Sequence, residues 1–175
     1  MFVLHRPTPD TPASPAGLEV TLGDLRRLIE QERFGDALAR ADVLLGSAPE
    51  HRDLLYMRAV CLRHLKRLPE ALATLETLEN LHPAYPRLFQ ERGHCHVYLR
   101  QAPEAIRAFS RAVELNPALP ASWRLLAKLY ALVGDERNAT VAADHAGCHC
   151  EQHAAEKSHR QRVQRSRAEP DRKVG

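Results

Sequence analysis

Apolar residues recur at three- and four-residue intervals in blocks of about a dozen positions, the spacing of one face of a helix. Leu54 to Leu65 and Pro69 to Leu81 are two such blocks, joined by a short turn and closed by proline. Pro69-Glu70-Ala71 and Pro103-Glu104-Ala105 place proline and an acid where a helix begins, since proline in the first turn costs no hydrogen bond.

The blocks are periodic. Pro49, Pro83 and Pro117 lie 34 residues apart, and so do Ala37, Ala71, Ala105 and Ala139. This divides the chain into units 18–51, 52–85, 86–119 and 120–153, each a helix, a turn and a helix. A small residue recurs early in the first helix (Ala59, Gly93, Ala127) and again as the phased alanine of the second, which lets paired backbones approach closely. Leu62, Leu65, Leu99, Phe109, Tyr130 and Val133 are expected to fill the space between units. A single unit cannot bury its apolar face, so stability is expected to be a sum over units and their interfaces.

Trp123-x-x-Leu126-Ala127-x-x-Tyr130 with Ala139, and Phe89-x-x-Arg92-Gly93-x-x-His96 with Ala105, Phe109 and Pro117, resemble the tetratricopeptide repeat. The resemblance spans about residues 18 to 150, with departures at Leu25, where a small residue is expected, and at Glu151 in place of the closing proline. It implies an all-α, right-handed superhelical solenoid of about four helix-turn-helix repeats ending in a polar C-terminal helix or tail. More narrowly, Glu91-Arg92-Gly93-His94-Cys95 and Asn116-Pro117-Ala118-Leu119-Pro120-Ala121-Ser122-Trp123 resemble the repeat region of bacterial tetratricopeptide-repeat sulfotransferases. Their catalytic domain holds its sulfonate donor in a Gly-, Ser- and Thr-rich loop at a strand-to-helix turn, and this sequence has no such loop. On that resemblance the chain is a repeat region without its enzyme.

Composition narrows the classes. At 175 residues, 44% hydrophobic, 27% charged and 5% aromatic, the chain has one small domain's worth of core, with a bias toward helix. The net charge of +3 is unevenly placed: residues 1 to 150 carry 18 basic and 18 acidic residues, and residues 151 to 175 carry seven and four. No secretion signal pattern opens the chain, so a cytoplasmic location is expected, with reduced cysteines. Only four of the 25 basic residues are lysine, which points to a GC-rich bacterial coding sequence.

The ends and the scattered polar groups offer little chemistry. Residues 1–17, with Pro7, Pro9, Pro12 and Pro15, are expected to be a disordered arm, and 151–175 a basic tail that cannot form a fifth unit. The tail is either a polar cap or an aberrant end, and Arg160, Arg162, Arg165 and Arg167 offer only a weak footprint for nucleic acid. His145, Cys148, His149, Cys150 and His153 are the most metal-like cluster. At about 1.5 Å rise per residue the outer histidines stand roughly 12 Å apart on a helix, too far for one zinc, so no metal site and no cofactor are expected. Cys61 and Cys95 fall at equivalent places in successive units and are expected to be buried free thiols, since adjacent helix axes lie about 8–10 Å apart. His96 takes a slot held by Leu62 and Tyr130 in its neighbours and is expected to be a half-buried residue bonded to backbone. No serine lies in a G-x-S-x-G elbow and the acids are dispersed, so no enzymatic activity is expected.

The resemblance places ligands in a concave groove lined by first helices. By phase, the groove candidates are Arg26, Tyr56, Arg63, Arg87, Gln90, His94, Tyr98, Arg124 and Lys128, a set that suits an extended or helical peptide with acidic groups. The carboxylate clamp of chaperone-binding family members maps onto Leu22, Arg26, Met57, Arg87 and Glu91, where only Arg87 and loosely Arg26 fit. Shifting the register by one unit gives Tyr56, Val60, Glu91, Ala121 and Leu125, which fits worse. A protein or peptide partner is therefore expected, and no chaperone tail, membrane or nucleic acid.

Overall fold

The computed structural model describes residues 15–147. Eight helices follow one another in antiparallel pairs: α1 (Pro15–Glu30) with α2 (Phe34–Ser47), α3 (Arg52–His64) with α4 (Leu68–Leu81), α5 (Pro86–Tyr98) with α6 (Ala102–Leu115), and α7 (Pro120–Leu132) with α8 over residues 136–147. The all-α solenoid of helix pairs is present, and the 34-residue period is its unit. Proline opens α5 and α7 at their first residue and falls second in α4 and α6, where a missing N–H breaks no helical bond.

The turn inside each pair repeats with the same period. Glu32, Lys66, Arg100 and Gly134 all take positive φ, at 58°, 63°, 58° and 80°. The next residue's N–H closes the end of the first helix each time: Arg33 to the Leu28 carbonyl, Arg67 to Leu62, Gln101 to His96 and Asp135 to Tyr130, all at 2.9 Å. This is a left-handed helix stop that satisfies carbonyls the helix leaves open. Only the fourth turn uses glycine for it, so the other three hold strained residues.

Within a pair, close approach depends on small residues. A Cβ on Gly93 would lie 2.7 Å from the Phe109 ring, so α6 seats its largest fully buried side chain directly on the α5 backbone. The phased Ala37, Ala71 and Ala105 are fully buried, and Ala139 nearly so. Leu25, in the slot where a small residue was expected, is fully buried too. The core runs along the stack, through Leu54, Leu62, Leu75, Leu78 and Leu88 in the first units and Phe109, Val113, Leu126 and Ala142 at the far end.

Three sequence expectations need correction here. Leu65, Leu99 and Val133 do not fill the interface: they sit at the ends of the first helices, beside the positive-φ turns, and are exposed. The helical block expected from Leu54 begins at Arg52, where the His51 ring accepts the Leu54 N–H. Residues 15–17, assigned to the arm, already belong to α1, because Pro15 fits a first helical position. The basic tail, 151–175, lies outside the described residues.

Candidate functional site

First helices touch in succession, α1 on α3 and α3 on α5, whereas second helices pack chiefly on first helices. The α1–α3–α5 side is therefore the inner face. It holds a hollow of about 230 Å³ lined by Arg26, Ile29 and Glu30 of α1, Asp53, Tyr56, Met57 and Val60 of α3, and Tyr85 and Arg87 at the start of α5. Three groove candidates, Arg26, Tyr56 and Arg87, are brought together there.

Two tyrosines form its wall. The Tyr56 and Tyr85 rings meet edge to face at 5.7 Å, and the Arg52 guanidinium lies over Tyr85 at 5.0 Å. Burial raises the Tyr56 hydroxyl's pKa, helped by the nearby Glu91 carboxylate, and burial with Asp53 raises that of Tyr85. Both remain neutral hydrogen-bonding phenols at any physiological pH. Arg26 contacts Asp53 at 3.6 Å, and Glu30 stands beside them, so both signs of charge line the hollow.

The structure gives other groove candidates different work. Arg63 is a correction: its side chain is 11% exposed and its Nε donates to Glu91 Oε2 at 2.6 Å, joining α3 to α5 inside the stack. Sequence phase misses this because Glu91, on the next first helix, is close in space and 28 residues away. Gln90 donates to the buried Ser122 hydroxyl at 2.8 Å and so ties α5 to α7. His94 is half-buried and meets the Phe109 ring edge to face at 5.3 Å, and burial lowers its pKa. Tyr98 ends α5 at the turn edge, with the Lys66 ammonium 3.6 Å from its ring centroid, away from the hollow. Arg124 and Lys128 are exposed on α7.

The remaining candidates are also placed. Cys61 and Cys95 are free and buried, and burial pushes their thiols up to about 12 and about 11, which leaves them unreactive. His96 bonds the Gln101 side chain at 2.8 Å rather than backbone. His145 stacks on Trp123 at 4.3 Å, while Cys148, His149, Cys150 and His153 lie outside the described residues. Among the described residues no group of three or more His, Cys, Asp or Glu could hold a metal, and no helix is long and apolar enough to cross a membrane.

A stack of helix pairs with a mixed apolar and charged inner hollow defines a repeat-built protein-interaction module. Residues 25–86 match the family model described as tetratricopeptide repeat. Solved structures with the same fold include a crystal structure of MamA, at 15% identity and TM-score 0.71, covering 82% of this chain and 84% of that one. MamA from Desulfovibrio magneticus (residues 41 to the end) gives 22% identity and TM-score 0.64, covering 83% and 77%. The first repeat domain of RPAP3, bound to the HSP90 peptide SRMEEVD, gives 20% identity and TM-score 0.62, covering 66% and 91%. No curated protein matches the sequence.

Proposed function

We propose that this module is a cytoplasmic, non-enzymatic scaffold that binds a peptide segment of a protein partner along its inner face. The observation that carries this reading is the α1–α3–α5 hollow, which Tyr56 and Tyr85 line together with Ile29, Met57 and Val60 and with Arg26 and Arg87. Such a site takes an apolar side chain against the paired tyrosines and a carboxylate at Arg87, with Arg124 and Lys128 extending the basic surface along α7. Because Asp53 and Glu30 share the lining, the favoured peptide carries both an apolar anchor and an acid, rather than a run of acids.

A chaperone C-terminal tail is not the proposed ligand. At the positions where family members grip a terminal carboxylate, Leu22 and Met57 are buried and apolar and Glu91 is buried and paired with Arg63, while Arg26 faces Asp53. A calorimetric titration of the chain with the peptide SRMEEVD is expected to give no saturable heat, and micromolar affinity lost in Arg87→Ala would contradict this.

The reading is tested by affinity capture from a cell lysate with the chain and its Tyr56→Ala/Arg87→Glu variant. A captured partner lost from the folded variant supports the inner face as the site, and unchanged capture removes it.

A further inference from the structure

Helix geometry places Phe89, Arg92 and His96 on the side of α5 turned away from Arg87, Gln90 and His94. There they floor an outer hollow of about 200 Å³ whose far wall is α6, through Glu104, Arg107, Ala108 and Arg111. The Arg92 and Arg111 guanidinium carbons stand 5.7 and 6.0 Å from the centroid of the Phe89 ring. Two arginines thus stand at one aromatic floor and Arg107 joins them in the lining, with Glu104 the single carboxylate there.

The repeat supplies an internal control. Thirty-four residues earlier, Leu55, Arg58, Glu70, Ala73, Thr74 and Thr77 line the corresponding hollow of the second unit, about 360 Å³ in volume. The period therefore makes the hollow, and the third unit adds Arg107 where the second has Ala73 and Arg111 where it has Thr77. The extra cations are not required by packing, since Arg107 and Arg111 side chains are 72% and 51% exposed. Their partners, Glu104 at 3.2 Å and Glu114 at 3.1 Å, are surface carboxylates three residues away, contacts that exchange readily for a better anion. Arg92 is held more firmly by Glu79 at 2.6 Å.

We propose that this outer hollow binds a phosphate monoester carried on a side chain of a protein partner. Arg107 and Arg111 fork onto the phosphate oxygens, and Arg92, beside the Phe89 ring, closes the third side. A phosphate monoester brings close to two charges and three acceptor oxygens, which suits three guanidinium groups, whereas one carboxylate satisfies a single fork. The volume suits a phosphorylated side chain and is small for a nucleotide. This site is separate from the inner peptide face and stands or falls without it.

The test is an NMR titration of the full chain with N-acetyl-O-phosphoserine amide at low ionic strength, following arginine Nε–H signals, with N-acetylglutamate amide as the control. Saturable shifts are expected at Arg92, Arg107 and Arg111, absent at Arg26, with the glutamate analogue weaker by about tenfold. Arg107→Ala/Arg111→Thr, which gives the third unit the residues of the second, is expected to weaken binding by about tenfold or more while helicity is retained. Absence of saturable shifts, equal binding of the glutamate analogue, or undiminished binding by the double variant would overturn the proposal.

Discussion

The inner and outer faces of α5 use charge in opposite ways. On the inner side, Glu91 is buried against Arg63 of the preceding first helix, and Gln90 reaches the buried Ser122 of the following one. On the outer side, Arg92 and Arg111 lie beside the Phe89 ring and Arg107 lines the same hollow, with Arg107 and Arg111 each paired to a surface carboxylate one turn away. A buried pair removed from water is costly to break and fixes how units stack, while an exposed arginine contributes little to folding and remains available to a ligand. The polar residues that looked most like binding groups by phase are partly the joints of the solenoid.

The largest test removes what both faces share. Phe109→Ala empties the seat on Gly93 and should cost about 3–5 kcal/mol of folding free energy, read as a lower urea midpoint, with both faces lost together. Next, Arg63→Met leaves Glu91 buried without its partner and should cost about 3–5 kcal/mol at neutral pH, and adding Glu91→Leu should recover much of it. If Arg63→Met costs no more than a surface substitution, the inner pair is not a joint.

Acid sharpens the same contrast. His64, which stacks on Phe34 and lies 3.1 Å from Arg63 Nη2, and His94 both have pKa values lowered by burial from the ordinary 6.5. Below that value the unfolded chain binds more protons than the folded one, so their contribution to stability is present above about 6.5 and declines as pH falls. Urea midpoints at pH 7.5 and 5.5 should show this loss, and His94→Phe should reduce it. Smaller still, Arg100→Gly relieves a positive-φ residue and should stabilise by about 0.5–1 kcal/mol. Arg107→Ala/Arg111→Thr should shift stability by less than about 0.5 kcal/mol, both side chains being exposed and paired only along the surface of α6.

Much of the fold was legible because its period is written in small residues and prolines. The phased alanines are buried where two backbones meet, and Pro69 and Pro103 fall in first helical turns. What phase alone could not supply was the identity of cross-unit partners. Arg63 shares its phase with Val97 and passes for a groove residue until Glu91 is seen beside it in space. Tyr85 and Asp53, essential to the inner hollow, lie at helix starts where the apolar pattern says nothing. Leu65, Leu99 and Val133 keep the period yet stay exposed, because a residue at the end of the first helix faces the turn rather than the next unit. The outer arginines were visible all along as departures between rows, Ala73 against Arg107 and Thr77 against Arg111.

The repeat builds the same outer hollow in successive units, and two rim residues decide what it binds. The most direct measurement is the stoichiometry of N-acetyl-O-phosphoserine amide binding to an Ala73→Arg/Thr77→Arg variant, in which the second unit acquires the rim of the third. One saturable arginine cluster is expected in the parent chain and two in the variant, the new one including Arg58. A variant that binds at the third unit alone, with Arg58 and the introduced arginines unmoved, would contradict it.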